Sequence, residues 1–359
     1  LSFDGGWTIE GTRWRRDCSP DARENTVLAS PTTTGVSVRG AFGPIAFRNL
    51  SIATVAAAPP AVDGQPGASC YGLNASGAGL RLRLQNVELD ACPGGEGGAV
   101  PVPTPPETFQ CVETGAKCAS GQPGADASGG GAPGERGTFG DEGFVHGDGA
   151  QGARGEPGAA GTAGPGQGEP LTCFVGGSGA CCDALTQVPQ GRCGCGGVAG
   201  FGGPGGRGGG ASVALFVRGP NASVELAFAT LRARDGGRGS PGAEGSPGSL
   251  GAPGAGYPGL AGCCAGCDGQ CFLQACGDLP AQPAGGQGGK GGKGGKGGGG
   301  SGGPSFAFVG VGAELERSES VLSFGRPGAG AEGAVAGDAG AQARVSGPAP
   351  GETGARGAP

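Results

Sequence analysis

Four stretches of the chain alternate apolar and polar residues with the period of two that is typical of half-buried β-strands. They resemble one another, because each has two apolar runs separated by a turn that contains glycine. The pattern therefore predicts a repeated strand–turn–strand unit at residues 35–55, 71–92, 213–235 and 306–324.

The apolar positions of the first three stretches can be aligned. The aligned sets are Ile45, Phe47, Leu50 and Ile52, then Leu82, Leu84, Val87 and Leu89, then Leu226, Phe228, Leu231 and Ala233. Units of this size cannot bury their own apolar faces, so we predict that they stack as coils of a short parallel β-solenoid. Asn49, Asn86 and Thr230 share one aligned position, where such coils stack polar side chains at a turn. A small β-sandwich of similar hairpins is the alternative.

Long stretches between these units repeat glycine at every third position. A three-residue period matches the polyproline II helix, which rises about 3.1 Å per residue and makes no internal hydrogen bonds. Its backbone groups must therefore pair with a neighbour if the segment is ordered. The runs lie at residues 131–164, 194–209, 236–254 and 285–303.

Residues 285–304 read GGQGGKGGKGGKGGGGSGGP, with Lys290, Lys293 and Lys296 each preceded by two glycines. Two glycine faces can pack while the lysine row faces water, which predicts a bundle of polyglycine II helices. A collagen triple helix needs glycine at one position in three and three chains, and it remains the alternative.

The other glycine runs fit the same bundle, either packed on two faces like residues 285–304 or at its rim. Residues 194–209 carry one stripe of side chains, formed by Cys195, Val198, Phe201, Pro204 and Arg207. Residues 131–164 and 236–254 have mostly one glycine per triplet, which suits the rim of a bundle or a collagen. His146 occupies a glycine position in the longest run and predicts a point where the helix reverses or kinks.

Composition limits how such a chain can be held together. With 90 glycines, 30 prolines and only 5% aromatic residues among 359, it is too poor in apolar side chains for several ordinary cores. We predict an all-β or irregular fold with little or no α-helix, held by backbone hydrogen bonds between helices and by disulfides.

Cysteine usage points to an oxidising compartment, because the chain has fifteen cysteines and a single histidine. Zinc binding is the rival interpretation, since the chain contains a CxxC and a CxC, but the spacing fits no standard paired CxxC module. The disulfide candidates are Cys18, Cys70, Cys92, Cys111, Cys118, Cys173, Cys181, Cys182, Cys193, Cys195, Cys263, Cys264, Cys267, Cys271 and Cys276.

Charge and hydropathy limit the classes of partner that the chain is expected to bind. The net charge of −6 and the absence of a dense basic cluster argue against a nucleic-acid partner. No window reaches the roughly 18 apolar residues that a membrane helix needs, so no membrane span is predicted. The chain has no methionine and opens with LSFDGGWTIE, which is expected of a mature or trimmed product.

The composition shifts predict six segments. β-Solenoid coils are expected in three of them, at 1–92, 211–235 and 304–324, and glycine-rich, cysteine-rich polyglycine II insertions in two, at 93–210 and 236–303. The last is a tail rich in Gly, Ala and Pro at 325–359.

The four repeated units and the glycine-rich insertions between them resemble the right-handed parallel β-helix family, and most of all the glycine-rich surface proteins of myxobacteria. Together with the cysteine content and the glycine triplets, the resemblance leads us to expect an extracellular, non-enzymatic structural protein without a cofactor or metal. Its expected role is a self-assembling subunit of a surface filament, fibre or adhesin. The expected partners are copies of the chain, and a polysaccharide or a cell surface.

Two other functions follow from the same features. A polyproline II bundle can present a flat face to ice or a polysaccharide. Many β-helix proteins cleave acidic polysaccharides with carboxylates, calcium and a basic residue, and the candidates here are Glu88, Asp90, Glu225, Arg232 and Asp235. These do not form the paired acid cluster that such sites display.

Three Asn-x-Ser sequons begin at Asn49, Asn74 and Asn221. They could carry glycans if the source organism glycosylates its secreted proteins.

Overall fold

The computed structural model describes residues 1–10, 12–17, 19–104, 122–160, 194–254, 287–332 and 339–345. Within these ranges the regular structure is almost all β, with one short 3-10 helix at Pro20–Asn25 and no α-helix. The strands are β1 (Ser2–Asp4), β2 (Trp7–Glu10), β3 (Arg13–Arg16), β4 (Val27–Ala29), β5 (Thr34–Val38), β6 (Gly43–Ala53), β7 (Cys70–Ser76), β8 (Leu80–Asp90), β9 (Thr138–Gly140), β10 (Gly143–Val145), β11 (Ser212–Ala227), β12 (Thr230–Arg232), β13 (Ser305–Ser318), β14 (Val321–Ser323) and β15 (Ala339–Val345).

Eleven strands form one sheet, which is parallel and curls like half a barrel. They stack in three rows. The first row contains β5, β7, the first halves of β11 and β13, and β15. The second contains β1, the first halves of β6 and β8, and the second halves of β11 and β13. The third contains β4, the second halves of β6 and β8, and β12 and β14.

The sheet encloses an apolar core because every second residue of a strand points inward. Phe47, Leu84 and Leu226 lie directly above one another in the second row, and each is at most 1% exposed. In the third row, Ile52, Leu89 and Leu231 form a second such column and are fully buried. The predicted alternation is therefore confirmed as the source of the core.

The alignment of the third unit is wrong by two residues. The structure pairs Leu82 with Val224 and Leu84 with Leu226, whereas the sequence alignment placed Leu226 opposite Leu82. Both sets have the same spacing of apolar residues, so spacing alone could not choose between them. Burial distinguishes the two alignments, because Phe228, which the sequence alignment placed in the core, is 53% exposed.

A sharp corner separates the second row from the third. Asn49, Asn86, Phe228 and Glu319 all adopt positive φ there, between 46° and 54°. Asn favours this region, and Asn86 donates its side-chain N–H to the oxygen of Asn49 at 3.1 Å, which confirms the expected polar stack for these two. Thr230 does not occupy the corner as expected; Phe228 does, because of the same two-residue error.

A second apolar cluster covers the outer face of the first row. Phe139 and Phe144 of the β9–β10 hairpin pack with Phe216 and Phe306 of the sheet. The Phe144 N–H donates to the buried Tyr71 hydroxyl at 2.8 Å. This hairpin interrupts the glycine run 131–164, and the chain reverses just before His146.

One disulfide joins Cys70, the first residue of β7, to Cys92, two residues after β8. Cys195 is also disulfide-bonded. The remaining candidates lie outside the described residues, namely Cys18, Cys111, Cys118, Cys173, Cys181, Cys182, Cys193, Cys263, Cys264, Cys267, Cys271 and Cys276. Over the described ranges, no helix is long and apolar enough to cross a membrane.

Candidate functional site: a bundle of glycine-rich segments

Residues 287–304, here called the central segment, lie among other glycine-rich segments and are hydrogen-bonded to them through the backbone. The amides of Gly288, Gly291, Gly294, Gly297, Gly300 and Gly303 donate to carbonyls of residues 237–252, at 2.8–3.0 Å. The next amide of each triplet, from Gly289 to Ser301, donates to carbonyls of residues 147–159 at 2.7–2.9 Å. Amides three residues apart therefore donate to the same neighbouring segment, and successive amides donate to different ones.

Carbonyl groups of the central segment complete the pattern. They accept N–H groups from residues 197–209 and 124–134, again at three-residue intervals apart from one slip of a single residue in 124–134. Residues 326–331 add further bonds at one end, where Gly328 and Ala331 donate to Gly303 and Gly300. Among the described residues, the central segment therefore has five hydrogen-bonded neighbouring segments.

Close backbone approach explains why two positions of each triplet are glycine. A Cβ on Gly291 would overlap the carbonyl oxygen of Val198, and one on Gly292 would overlap that of Ala125. The two positions face different neighbouring segments. A side chain at either one would push the central segment away from that neighbour and break the backbone hydrogen bonds between them. Both glycines are buried.

The third position of the first three triplets, 288–296, is a lysine that points outward. Lys290 and Lys293 are exposed and Lys296 is half-buried. Lys293 Nζ lies 3.1 Å from Glu244, and Lys296 Nζ lies 2.6 Å from Glu332 and 3.6 Å from Glu244. The hydrogen bond and charge of Lys293 lower the pKa of Glu244, and the bond to Glu332 raises the pKa of Lys296. The row is thus outward-facing and bridged by acids of neighbouring segments.

Side chains also connect segments at the stripe of residues 194–209. The amides of Val198, Phe201 and Arg207 donate to serine hydroxyls of the segment 236–252 at 2.8–2.9 Å. The guanidinium of Arg154 lies 5.0 Å from the centre of the Phe201 ring, a cation–π contact. Small polar residues between glycines therefore add hydrogen bonds without separating the backbones.

Three of the acidic candidates from the sequence, Glu88, Asp90 and Glu225, lie on strands of the sheet and pair with arginine side chains. Arg234 forms a bidentate pair with Asp90 at 2.9 and 2.7 Å, and this bond raises the pKa of Arg234. Glu88 lies 3.2 Å from Arg232 and 3.7 Å from Arg23. The sequence did not single out Arg234, because its partner is 144 residues away.

Glu225 and Asp235 lie apart from that pair. Glu225 is in the second row and pairs with Arg83 at 3.2 Å, while a carboxylate oxygen of Asp235 accepts the amide of Arg326 at 2.8 Å. The described residues contain no group of three His, Cys, Asp or Glu side chains that could hold a metal ion. The arrangement ties neighbouring strands and segments together.

His146 lies where the bundle meets the sheet. Its ring packs edge-on against Phe144, and Nε2 donates to the Gly67 carbonyl at 2.7 Å. Burial lowers the pKa of His146, against smaller opposite effects of the Gly67 hydrogen bond and the Asp148 charge. The neutral imidazole is therefore the form that fits this position.

We expect the free energy of unfolding to fall as the pH is lowered through about 6.5, because the unfolded chain then binds a proton that folded His146 resists. The loss should level off once folded His146 is protonated. Urea unfolding at about pH 5–7 measures it. A His146→Gln variant should lack this component, and an identical pH dependence in both proteins would contradict the assignment.

The three sequons differ in exposure. Asn49 and Asn74 are half-buried, and Asn49 also takes part in the asparagine stack. Asn221 is exposed at a positive-φ corner inside β11.

Comparison with known proteins gives no relative: no protein-family model, no curated protein and no solved structure matches this chain. The resemblance to myxobacterial surface proteins therefore stays a prediction from the sequence.

Proposed function

We propose that the protein is an extracellular structural protein that self-assembles as the subunit of a surface filament, fibre or adhesin. Its architecture is a short parallel β-solenoid with glycine-rich insertions folded as a bundle of polyglycine II helices. The observation that carries the proposal is the backbone hydrogen bonding of the central segment to five neighbours with a period of three.

That period supports the helix type. A polyglycine II helix has the geometry of polyproline II, three residues per turn, so its amides point in three directions about 120° apart. Amides of Gly288, Gly289 and the residues that repeat them every three positions donate to separate neighbours, as this geometry requires. A central segment with five neighbouring segments favours a bundle over a collagen triple helix, in which each strand has only two neighbours.

A structural role also fits the energetics. Ordering glycine costs more backbone entropy than ordering any other residue. Each interhelical hydrogen bond contributes about 1 kcal/mol, so only a dense array offsets that cost. A protein that needed merely a flexible connection would leave its glycines unpaired. A dense array of hydrogen bonds between glycine segments is expected in a protein whose function requires stiffness.

The proposed extracellular location rests on cysteine chemistry. The Cys70–Cys92 bond and the oxidised Cys195 require an oxidising compartment to form and persist. The arginine pairing of Glu88, Asp90 and Glu225 favours a structural over a catalytic role for these carboxylates, since each already has a guanidinium partner.

Two measurements test the proposal. Sedimentation velocity and electron microscopy should show assembly that grows with protein concentration. Far-ultraviolet circular dichroism should show a polyproline II component beside the β-sheet signal. A protein that remains monomeric at all concentrations, yet binds ice or a polysaccharide, would favour the ligand-binding alternative. Cleavage of acidic polysaccharides with calcium would favour the enzyme.

A further inference from the structure

We propose that two copies of the chain pair face to face through the outer surface of the second row, related by a twofold axis that runs along β11. This inference rests on the proposed self-assembling function and names one surface that carries it. The β9–β10 hairpin covers the outer surface of the first row. The 3-10 helix packs on that of the third, where Arg23 donates to Thr230 and pairs with Glu88. Within the described residues, the second row has no such cover.

The outward side chains of this surface are separated by charge. Across β8, β11 and β13 they form two lines, Arg81, Ser223 and Glu314 in one and Arg83, Glu225 and Glu316 in the other. All six residues are exposed. β8 therefore presents two positive charges and β13 two negative ones, two strand spacings of about 4.8 Å apart. The surface does not depend on the strands at either end of the sheet.

Most of these charges are not neutralised within the chain. Arg83 and Glu225 pair at 3.2 Å. Arg81, Glu314 and Glu316 have no ion-pair partner in the part of the chain that the structure describes. Glu316 also lies directly opposite Glu225 on the neighbouring strand, where like charges destabilise a sheet. In the third row, by contrast, arginines neutralise the two carboxylates of β8. The second row therefore favours a partner that brings the missing opposite charges.

A second copy supplies those charges at the required positions. A twofold axis along β11 places β13 of one copy over β8 of the other and keeps paired residues at the same level along the strands. Arg81 then faces Glu314 of the second copy, Arg83 faces Glu316, and each contact occurs twice. A polymer of a single charge sign, such as an acidic polysaccharide, matches only half of the surface. Charge complementarity therefore favours a second copy as the occupant.

The contact is expected to be weak and sensitive to salt. Parts of three strands cover less than the roughly 800 Å² that each partner of a stable complex buries. Exposed ion pairs are individually weak and are screened by salt. We therefore expect a dimer at high protein concentration and low ionic strength. It should dissociate in about 1 M salt, where charges are screened beyond about 3 Å.

Charge reversal tests the pairing without breaking an ion pair within the chain. Arg81→Glu and Glu314→Arg each place like charges opposite one another at both symmetric contacts. The association constant from sedimentation velocity at low salt should fall about tenfold or more in each variant. An equimolar mixture of the two should associate again, because one variant is negative at both positions and the other is positive at both. The double variant Arg81→Glu/Glu314→Arg should dimerise as wild type does.

Cross-linking tests the position of the axis. Ser223 lies on β11, so it should face the same residue of the second copy. A short bismaleimide should therefore join two copies of a Ser223→Cys variant through position 223, as identified by mass spectrometry of the linked peptides. Ser128→Cys, at an exposed position of the bundle, should give no such link.

A matched control separates this surface from a general effect of charge. Arg238→Glu reverses an exposed arginine of the bundle and should leave the association constant unchanged. Self-association that survives both single reversals, or that neither the mixture nor the double variant restores, would overturn this surface and leave self-assembly intact. Equal weakening by Arg238→Glu would do the same. A wild type that is monomeric at every concentration would overturn both proposals.

Discussion

Valine in place of Gly291 or Gly292 is expected to unfold the bundle locally and to lower the free energy of unfolding by about 3 kcal/mol or more. The Gly291 amide donates to the Ser249 carbonyl at 2.9 Å and the Gly292 amide to the Glu156 carbonyl at 2.8 Å. A valine side chain at either position would meet a neighbouring carbonyl and push the backbones beyond hydrogen-bonding distance. Thermal melts followed by circular dichroism measure the loss.

Lys290→Val is the matched control, because it introduces the same side chain at the adjacent residue, the third position of the preceding triplet. Lys290 is exposed, so the melting temperature should change little. The pattern of responses also separates the alternatives. A collagen helix would tolerate valine at Gly292 while failing at Gly291, and a flexible linker would tolerate valine at all three positions. Equal tolerance at the two glycines would refute the bundle.

The sequence predicted the parallel sheet because its core depends on local alternation. Phe47 and Leu84 lie on strands whose inward and outward positions alternate on each side of the asparagine corner, so the first two units aligned correctly. The third failed because Val224, Leu226, Ala229 and Leu231 have the same spacing as the set chosen two residues later. A small residue, Ala229, fills the core there, and a large one, Phe228, is exposed.

Other features depended on contacts that the sequence does not display. The strands β1, β4 and β14 are three residues long, too short to show a period. β9 and β10 form a hairpin inside a glycine run whose triplets continue on either side of it. The pairing of Cys70 with Cys92 was one of many possibilities among fifteen cysteines.

The outward lysine row and the packed glycines followed from the triplet itself. In the proposed polyglycine II helix one turn would hold three residues, so the residue type at each position of the triplet indicates whether a neighbour lies in that direction. Two glycines in each triplet leave a single outward direction, and Lys290 and Lys293 take it. The triplet repeat does not predict which segments are the neighbours, because a face of glycines can pack against any extended backbone. That choice depends on the tertiary placement of 147–159 and 237–252 around the central segment.

Loss of the Cys70–Cys92 bond has the second large expected effect. The bond closes a loop with a sequence separation of 22, and removing such a cross-link costs about 2–5 kcal/mol. It lies where the chain leaves the sheet for the bundle: the Ser212 hydroxyl donates to the Cys92 carbonyl at 2.8 Å and accepts the Arg234 amide at 2.8 Å. We therefore expect the variant Cys70→Ala/Cys92→Ala to melt earlier than wild type.

Hydrogen exchange in that variant should show where the loss begins. Amides of the central segment should lose protection before those of β8, because the central segment has no large apolar side chain to bury, whereas β8 carries Leu82, Leu84 and Leu89 in the buried core. Adding reductant to the variant isolates the contribution of the remaining disulfides. If the variant and the wild type melt together, or β8 opens first, the bond does not anchor the bundle, and the sheet must hold the glycine segments through the contacts of His146 and Ser212 instead.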